Sequence, residues 1–374
     1  MSVTAPPALQ AVWCDGDDPG RRSFVDLGPL DLETGAHLPA VRVAYETWGE
    51  LNAAADNAVL VEHALTGDSH VEGPAGPGHP TPGWWDGLVG PGRPLDTDAL
   101  FVVASNVLGG CQGTTGPSSP DPAGRPWGSR FPFVTIRDQV SVEARLADAL
   151  GVARWRGVLG GSMGGMRALE WAVSYPDRVG TAVVLASAAA ATADQIAWCQ
   201  PQLLAIRSDP AFQGGDYYDA TGPSTGLGIA RRIAHTTYRS GWELDERFGR
   251  AAQGGERPIG GGGRYAVESY LDHHAAKLTG RFDANSYLVL TEAMNSHDIG
   301  RGRGGVEAAL GRCRAHLVVG SVDSDRLYPP RLSDELADLA PSATRVSIAS
   351  PHGHDGFLIE IAQVGRLIRD SLGR

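Results

Sequence analysis

Lysine is almost missing from these 374 residues: one, Lys277, shares a Lys+Arg total of 32 with arginine. Contacts to anions are therefore expected to fall to Arg. Against 43 Asp and Glu the formal net charge is −11, so no broad cationic surface is on offer to a nucleic-acid backbone or an anionic membrane. Cysteine is scarce too. Cys14, Cys111, Cys199 and Cys313 lie far apart and form no C-x-x-C pair, which argues against a zinc site and against a disulfide framework. Inert thiols are expected, with Cys111 singled out because it sits in a Gly-rich loop. No run approaches the roughly 20 apolar residues that span a bilayer, and residues 1–7 lack the basic segment and apolar stretch of a signal peptide. The expectation is a cytoplasmic protein with no metal or redox cofactor. Repeats and low-complexity tracts are missing as well; the glycines of residues 254–264 belong to one short loop.

What is present is a composition of 42% hydrophobic and 20% charged residues, that of a globular chain able to bury a sizeable core. Short apolar, β-branched runs at 41–45, 59–64, 100–104, 158–160 and 181–186 read as buried strands, with helical patterns at 142–150 and 163–175 between them. A strand at 316–320, a helix at 331–339, a strand at 344–348 and a closing helix near 358–372 resume the pattern. Such alternation predicts an α/β fold built on a mostly parallel, doubly wound sheet. Residues 188–311 differ, with helix-length segments at 193–206, 227–238, 265–278 and 284–295. A structureless loop of that length is improbable in a compact domain, so the segment is expected to be a helical lid inserted into a core made of 1–187 and 312–374.

The sharpest feature is Gly160-Gly-Ser-Met-Gly164, between the apolar Val158-Leu159 and the helical stretch from Met166. G-x-S-x-G between a strand and a helix is a nucleophile elbow: small residues two before and two after the serine let the chain turn sharply and lift the hydroxyl above the sheet. A serine needs a base to take its proton and a carboxylate to orient that base. In α/β-hydrolases these follow in the order Ser, Asp, His, after late strands. Two loops qualify, and each offers two candidates. Asp325, just before Leu327-Tyr-Pro329, is favoured over Asp323; His354, before Asp355-Gly-Phe357, is favoured over His352. Donors to the tetrahedral oxyanion are expected from the Met163 N–H and, in the loop after residues 59–62, from that of Leu65.

Together, Leu65-Thr-Gly-Asp-Ser-His70, the loop 106–119 with its Gly-Thr-Thr-Gly-Pro-Ser-Ser, Gly160-Gly-Ser-Met-Gly-Gly165, Asn295-Ser-His-Asp298, Ser324-Asp-Arg-Leu-Tyr-Pro329 and Gly353-His-Asp-Gly-Phe357 resemble the homoserine O-acetyltransferases of methionine biosynthesis. The resemblance runs from about residue 40 to the C-terminus. It implies an α/β-hydrolase fold, acetyl-CoA as donor, L-homoserine as acceptor, an acetyl-Ser162 intermediate and a homodimer joined through the lid. It also implies the triad Ser162, Asp325 and His354, with Arg231, Tyr238 and Asp355 contacting homoserine. A guanidinium suits the amino acid's carboxylate and a carboxylate its ammonium; Arg232 remains an alternative to Arg231. Three other readings stay open: an ester hydrolase with water as acceptor, a related transferase using serine or succinyl-CoA, and a binding protein on the same fold.

Overall fold

In the computed structural model, which describes residues 12–373, eight strands form one sheet. In chain order they are β1 (Ser23–Asp31), β2 (His37–Trp48), β3 (Ala58–Glu62), β4 (Phe101–Ser105), β5 (Trp155–Gly161), β6 (Val179–Leu185), β7 (His316–Val322) and β8 (Ala343–Ile348). Their spatial order is β1-β2-β4-β3-β5-β6-β7-β8. β2 runs antiparallel to both its neighbours, and every pairing from β4 to β8 is parallel. All five residues of β3 are buried, as a continuous apolar run must be when helices cover both faces of a parallel sheet. The reading of residues 1–7 lies outside the described residues. Among those described, no helix is long and apolar enough to cross a membrane.

The helices are α1 (Ile136–Ala149), α2 (Met163–Ser174), α3 (Ala193–Arg207), α4 (Ser224–Tyr238), α5 (Gly241–Phe248), α6 (Ala266–Thr279), α7 (Ala284–Asn295), α8 (Val306–Leu310), α9 (Pro330–Leu339), α10 (Gly356–Ile359) and α11 (Ile361–Leu372). α1 starts where Thr135 and Asp138 close a reciprocal capping box, and α3 where Thr192 and Gln195 do the same. α1 and α2 pack one face of the sheet through Trp155, Leu169 and Trp171; α11 packs the other through Val364, Leu367 and Ile368. α3 to α7 all lie between β6 and β7 and gather a third apolar cluster, from Leu203, Leu227, Leu278 and Tyr287, against Met163 and Met166 of α2. Each such fully buried side chain contributes roughly 1.5–3 kcal/mol.

Several features depart from the sequence reading, the short α8 among them. β1 was not expected: it carries Asp26, Gly28, Pro29 and Asp31, all poor strand formers, and its pairing with β2 shifts register on either side of Gly28. As an edge strand it needs no continuous apolar run. α5 was also not expected. The closing helix of residues 358–372 is two helices, broken at Glu360, whose ψ of 54° leaves the helical region.

Candidate active site

Ser162 stands between β5 and α2 with φ 58° and ψ −123°, a conformation that costs a non-glycine residue on the order of 1–3 kcal/mol. The turn is held from all sides. A Cβ on Gly164 would lie 2.1 Å from the Glu62 carbonyl oxygen, one on Gly160 2.6 Å from Gly164 C, and one on Gly161 2.4 Å from the Phe357 ring. Glycine at these places is a packing requirement. Beneath the turn, fully buried Arg167 spans Glu62 at 2.8 Å and Glu143 at 2.7 Å, and donates to the His63 carbonyl at 2.6 Å. Burial pushes the Glu62 carboxyl well up, Arg167 opposes that and Glu143 adds to it. Arg167 thus ties α2 to the end of β3 and the loop that follows.

That loop carries Leu65. His63 fixes its path: Nδ1 sits 2.8 Å from the Ala64 carbonyl, and Nε2 accepts from the Val107 N–H at 3.2 Å. Burial, then Arg167, pushes the His63 pKa down to about 3, so the ring is neutral with Nδ1 as the donor. Leu65 lines the cavity above Ser162. Met163 is fully buried at the first position of α2, where a backbone N–H has no acceptor within its own helix.

Asp325, between β7 and α9, is buried and accepts three hydrogen bonds. Oδ1 takes the N–H groups of Leu327 (2.8 Å) and Tyr328 (2.9 Å); Oδ2 takes His354 Nδ1 at 2.7 Å. The His354 ring stacks on Tyr328 with centroids 5.0 Å apart, and Phe357 meets it edge-on. Its Nε2 is buried without a hydrogen-bond partner among the described residues. Burial alone would lower the His354 pKa, but Asp325 outweighs it by charge and hydrogen bond, with Asp355 adding to the effect, and the net shift is upward. The two rival candidates lie elsewhere. Asp323 accepts from the Ser350 N–H at 3.0 Å, shaping the loop that presents His354; His352 faces Glu243 at 3.2 Å.

One cavity of about 210 Å3 joins Ser162, His354, Leu65, Arg231, Tyr238 and Asp355. Arg231 and Tyr238, both on α4, put guanidinium and ring 5.6 Å apart. Arg231 Nη1 reaches Thr66 Oγ1 at 3.5 Å and its Nε is buried without a partner. Arg232 instead pairs with Asp272 at 2.7 Å, outside the cavity. Burial raises the Asp355 pKa, against the pull of Arg239, His354 and Arg231.

Several groups were missed by sequence reasoning. Arg239 lies 3.3 Å from Asp355 and 3.3 Å from Glu243. Arg281 donates to the Thr66 carbonyl at 2.8 Å, and His235, His274 and the single lysine also line the cavity. The one lysine thus stands in the cavity beside three arginines. Nothing in the residue pattern marked these positions, because the loop that carries Arg281 and the face of α6 that carries Lys277 are aimed by packing.

The loop 106–119 does not line this cavity. Asn106 accepts from the Ser69 N–H at 2.8 Å, while Thr114 and Thr115 hydroxyls accept from the N–H groups of Ala44 and Arg42, so the loop braces residues 63–70 against β2. Cys111 is buried there with its thiol pushed up to about 12 by burial, which keeps it protonated and unreactive. Glu46, His70 and His79 bring ligand-type atoms within 4.8 Å of one another. The two imidazoles, however, stack at 3.9 Å and 13°, and lone pairs in parallel planes cannot converge on one ion. Glu46 is engaged by Ser69 Oγ at 2.8 Å and His70 Nδ1 at 3.1 Å, a hydrogen-bond network rather than a ligand set.

Residues 57–360 match the model of the alpha/beta hydrolase fold family. A homoserine O-acetyltransferase of Thermobifida fusca (strain YX) is 63% identical, over the full length of both chains. Among solved structures, a homoserine O-acetyltransferase from Bacillus anthracis superposes with a TM-score of 0.86 at 27% identity, covering 94% of this chain and 97% of that one. An acetylester hydrolase from Corynebacterium glutamicum gives 0.81 at 25% identity, covering 95% and 97%.

Proposed function

The chain belongs to the α/β-hydrolase-fold family and, within it, to the homoserine O-acetyltransferases, and from that premise we propose how its residues carry the acetyl group from acetyl-CoA to the hydroxyl of L-homoserine. Neutral His354 Nε2 takes the Ser162 proton as Oγ attacks the thioester carbonyl carbon, and the oxyanion accepts from the Met163 and Leu65 N–H groups. Asp325 holds Nδ1–H in place and stabilises the imidazolium. The C–S bond breaks, the proton passes to the sulfur, and CoA leaves acetyl-Ser162. The γ-hydroxyl of homoserine then gives its proton to His354 and attacks the acetyl carbon, and Ser162 Oγ leaves and recovers the proton.

The observation that carries this reading is the unpartnered His354 Nε2 sharing one cavity with Ser162 and Arg231. A base, a nucleophile and a guanidinium with no carboxylate in ion-pair contact among the described residues together suit an acceptor that is an amino acid. We assign the homoserine carboxylate to Arg231, whose buried Nε has no partner, its ammonium to Asp355, and a packing role beside the guanidinium to Tyr238. Residues 188–311 serve in this reading as the lid that supplies the acceptor contacts. A homodimer through that lid is supported by the apolar surface that α3 and α4 expose at Ile196, Trp198, Leu204 and Ile229. We place the enzyme in the cytoplasm, with its donor.

The test is mass spectrometry after acetyl-CoA alone. One acetyl group on Ser162, missing in Ser162→Ala and discharged by homoserine faster than by water, is the expected result. An obligatory ternary complex with no acetyl-enzyme overturns the two-step route, and discharge by water at the homoserine rate favours a hydrolase.

A further inference from the structure

We propose that Lys277 forms an anion subsite at the mouth of the cavity for the phosphate groups of the acyl donor, an inference that rests on the acetyl-CoA-dependent transfer above. Four cations line the cavity, Arg231, Arg239, Lys277 and Arg281, against one carboxylate, Asp355. This excess stands out in a chain of net charge −11. Asp355 lies against Arg239 at 3.3 Å, and Arg231 is assigned to the acceptor. Arg281 donates to the Thr66 carbonyl and is offset by the charge of buried Asp68, and the remaining ion pairs nearby use Arg232 and Arg264 with Asp272, so among the described residues Lys277 makes none. Charge left unneutralised in a concave, partly buried site raises the local concentration of an anionic ligand.

The imidazoles beside them respond to that field. His235 and His274 stack at 3.9 Å, and the His274 pKa is pushed down to about 4, by burial first and then by Arg231, His273, Arg239 and Lys277. Neither ring adds positive charge at neutral pH.

Position decides which anion. Arg231 and Arg281 both reach Thr66, next to Leu65 of the oxyanion loop, and so stand at the end of the cavity where the acceptor must meet Ser162. The donor reaches Ser162 with its acetyl carbon while its phosphates trail at the far end of a long flexible arm, so their partners must stand where the cavity opens. Lys277 is the exposed cation of the set, in the last turn of α6. An ammonium is a compact point charge that accepts phosphate oxygens from many directions, which suits a flexible ligand. A lysine in the last turn of a helix also complements the helix dipole; that role alone would alter stability and leave donor preference untouched.

The experiment compares kcat/KM for acetyl-CoA with kcat/KM for S-acetyl-N-acetylcysteamine, a thioester without phosphates, at saturating homoserine, in the wild type, Lys277→Gln and Lys277→Arg. The ratio of acetyl-CoA to phosphate-free donor is expected to fall about tenfold in Lys277→Gln through the acetyl-CoA KM, and to recover in Lys277→Arg. Adenosine 3′,5′-bisphosphate should compete with acetyl-CoA less well in Lys277→Gln. An unchanged ratio, whether both efficiencies fall together or neither moves, overturns the subsite. A wild type that fails to acetylate Ser162 from acetyl-CoA while turning over the phosphate-free donor overturns the functional reading instead.

Discussion

Replacing Asp325 by Asn should abolish the base without disturbing the fold, for a reason specific to this loop. Asp325 Oδ1 accepts two backbone N–H groups, from Leu327 and Tyr328, at 2.8 and 2.9 Å. An asparagine can satisfy those donors only with its carbonyl oxygen, so its NH2 must occupy the Oδ2 position, 2.7 Å from His354 Nδ1. An amide donor facing Nδ1 makes that nitrogen the acceptor. The ring proton then moves to Nε2, which points into the cavity and can no longer take the Ser162 proton. Loss of the correct tautomer in a Ser-His-Asp triad costs about 10⁴ in turnover, or roughly 5.4 kcal/mol of transition-state stabilisation. Both backbone hydrogen bonds survive, so the melting temperature should stay within a few degrees. Asp323→Asn is the matched control, because the Ser350 N–H that Asp323 accepts at 3.0 Å can be met equally by an amide oxygen; its turnover should stay within a few-fold. Single-turnover acetylation of Ser162, followed by release of free thiol, reads the step directly. An Asp325→Asn enzyme within tenfold of wild type, or a larger loss in Asp323→Asn, would show that the tautomer argument is wrong.

Because the His354 pKa is raised above 6.5, the ring is imidazolium below that raised value, so Ser162 acetylation should fall as pH drops through a midpoint above 6.5; a flat profile from pH 5 to 8 contradicts it. By the same shift the charged Asp325–His354 pair contributes stability that is complete below about 6.5 and fades as pH rises through the folded-state value. Arg231→Ala should lower kcat/KM for homoserine by about ten- to a hundredfold while Ser162 acetylation is little changed, and Arg232→Ala, which loses only the outward pair with Asp272, should be mild. The reverse pattern in the two half-reactions moves the carboxylate site to Arg232. Gly164→Ala forces a Cβ to 2.1 Å from a backbone oxygen, so β3 or α2 must shift by about 1 Å; kcat should drop about 10²-fold and stability by roughly 1–3 kcal/mol. Gly255→Ala, with open space around it, is the control for calorimetry and rate alike.

The parts of this molecule that were legible in the sequence are those fixed by local chemistry. The runs 59–64 and 181–186 could be read as buried strands because both faces must be apolar, and the elbow because only glycine fits beside Ser162. Choosing Asp325 over Asp323 rested on a turn at Leu327 and Tyr328, whose N–H groups are the ones Oδ1 accepts. β1 was hidden because an edge strand tolerates Gly28 and Pro29. Arg239, Lys277 and Arg281 were hidden because a cation's role depends on which carboxylates stand near it, and Asp355 and Asp68 come from loops far away in the chain. The Gly-Thr-Thr-Gly-Pro-Ser-Ser loop was legible as a signature but not as a brace, since its hydroxyls act on backbone of β2, remote in sequence.

The insert between β6 and β7 begins and ends at one place. Ala191 donates to the His297 carbonyl at 2.9 Å, Ile299 to the Ala189 carbonyl at 3.0 Å, and His297 Nε2 lies 3.2 Å from the Ala188 carbonyl. The strands that flank it are direct neighbours, with Leu185 opposite Gly320. Residues 190–296 therefore hang from the scaffold as a loop whose ends are already stapled. Its closure costs only about 0.6 kcal/mol more for each doubling of length, and the strand pairings of the sheet that carries Ser162, Asp325 and His354 all lie outside it. With the acceptor carboxylate assigned to Arg231 of α4, as proposed above, rewriting the insert is a route by which evolution can revise what the enzyme acetylates while the strands that carry the triad keep their pairing. Grafting such a segment between relatives at the 188–191 and 297–299 seam is the engineering counterpart of that freedom.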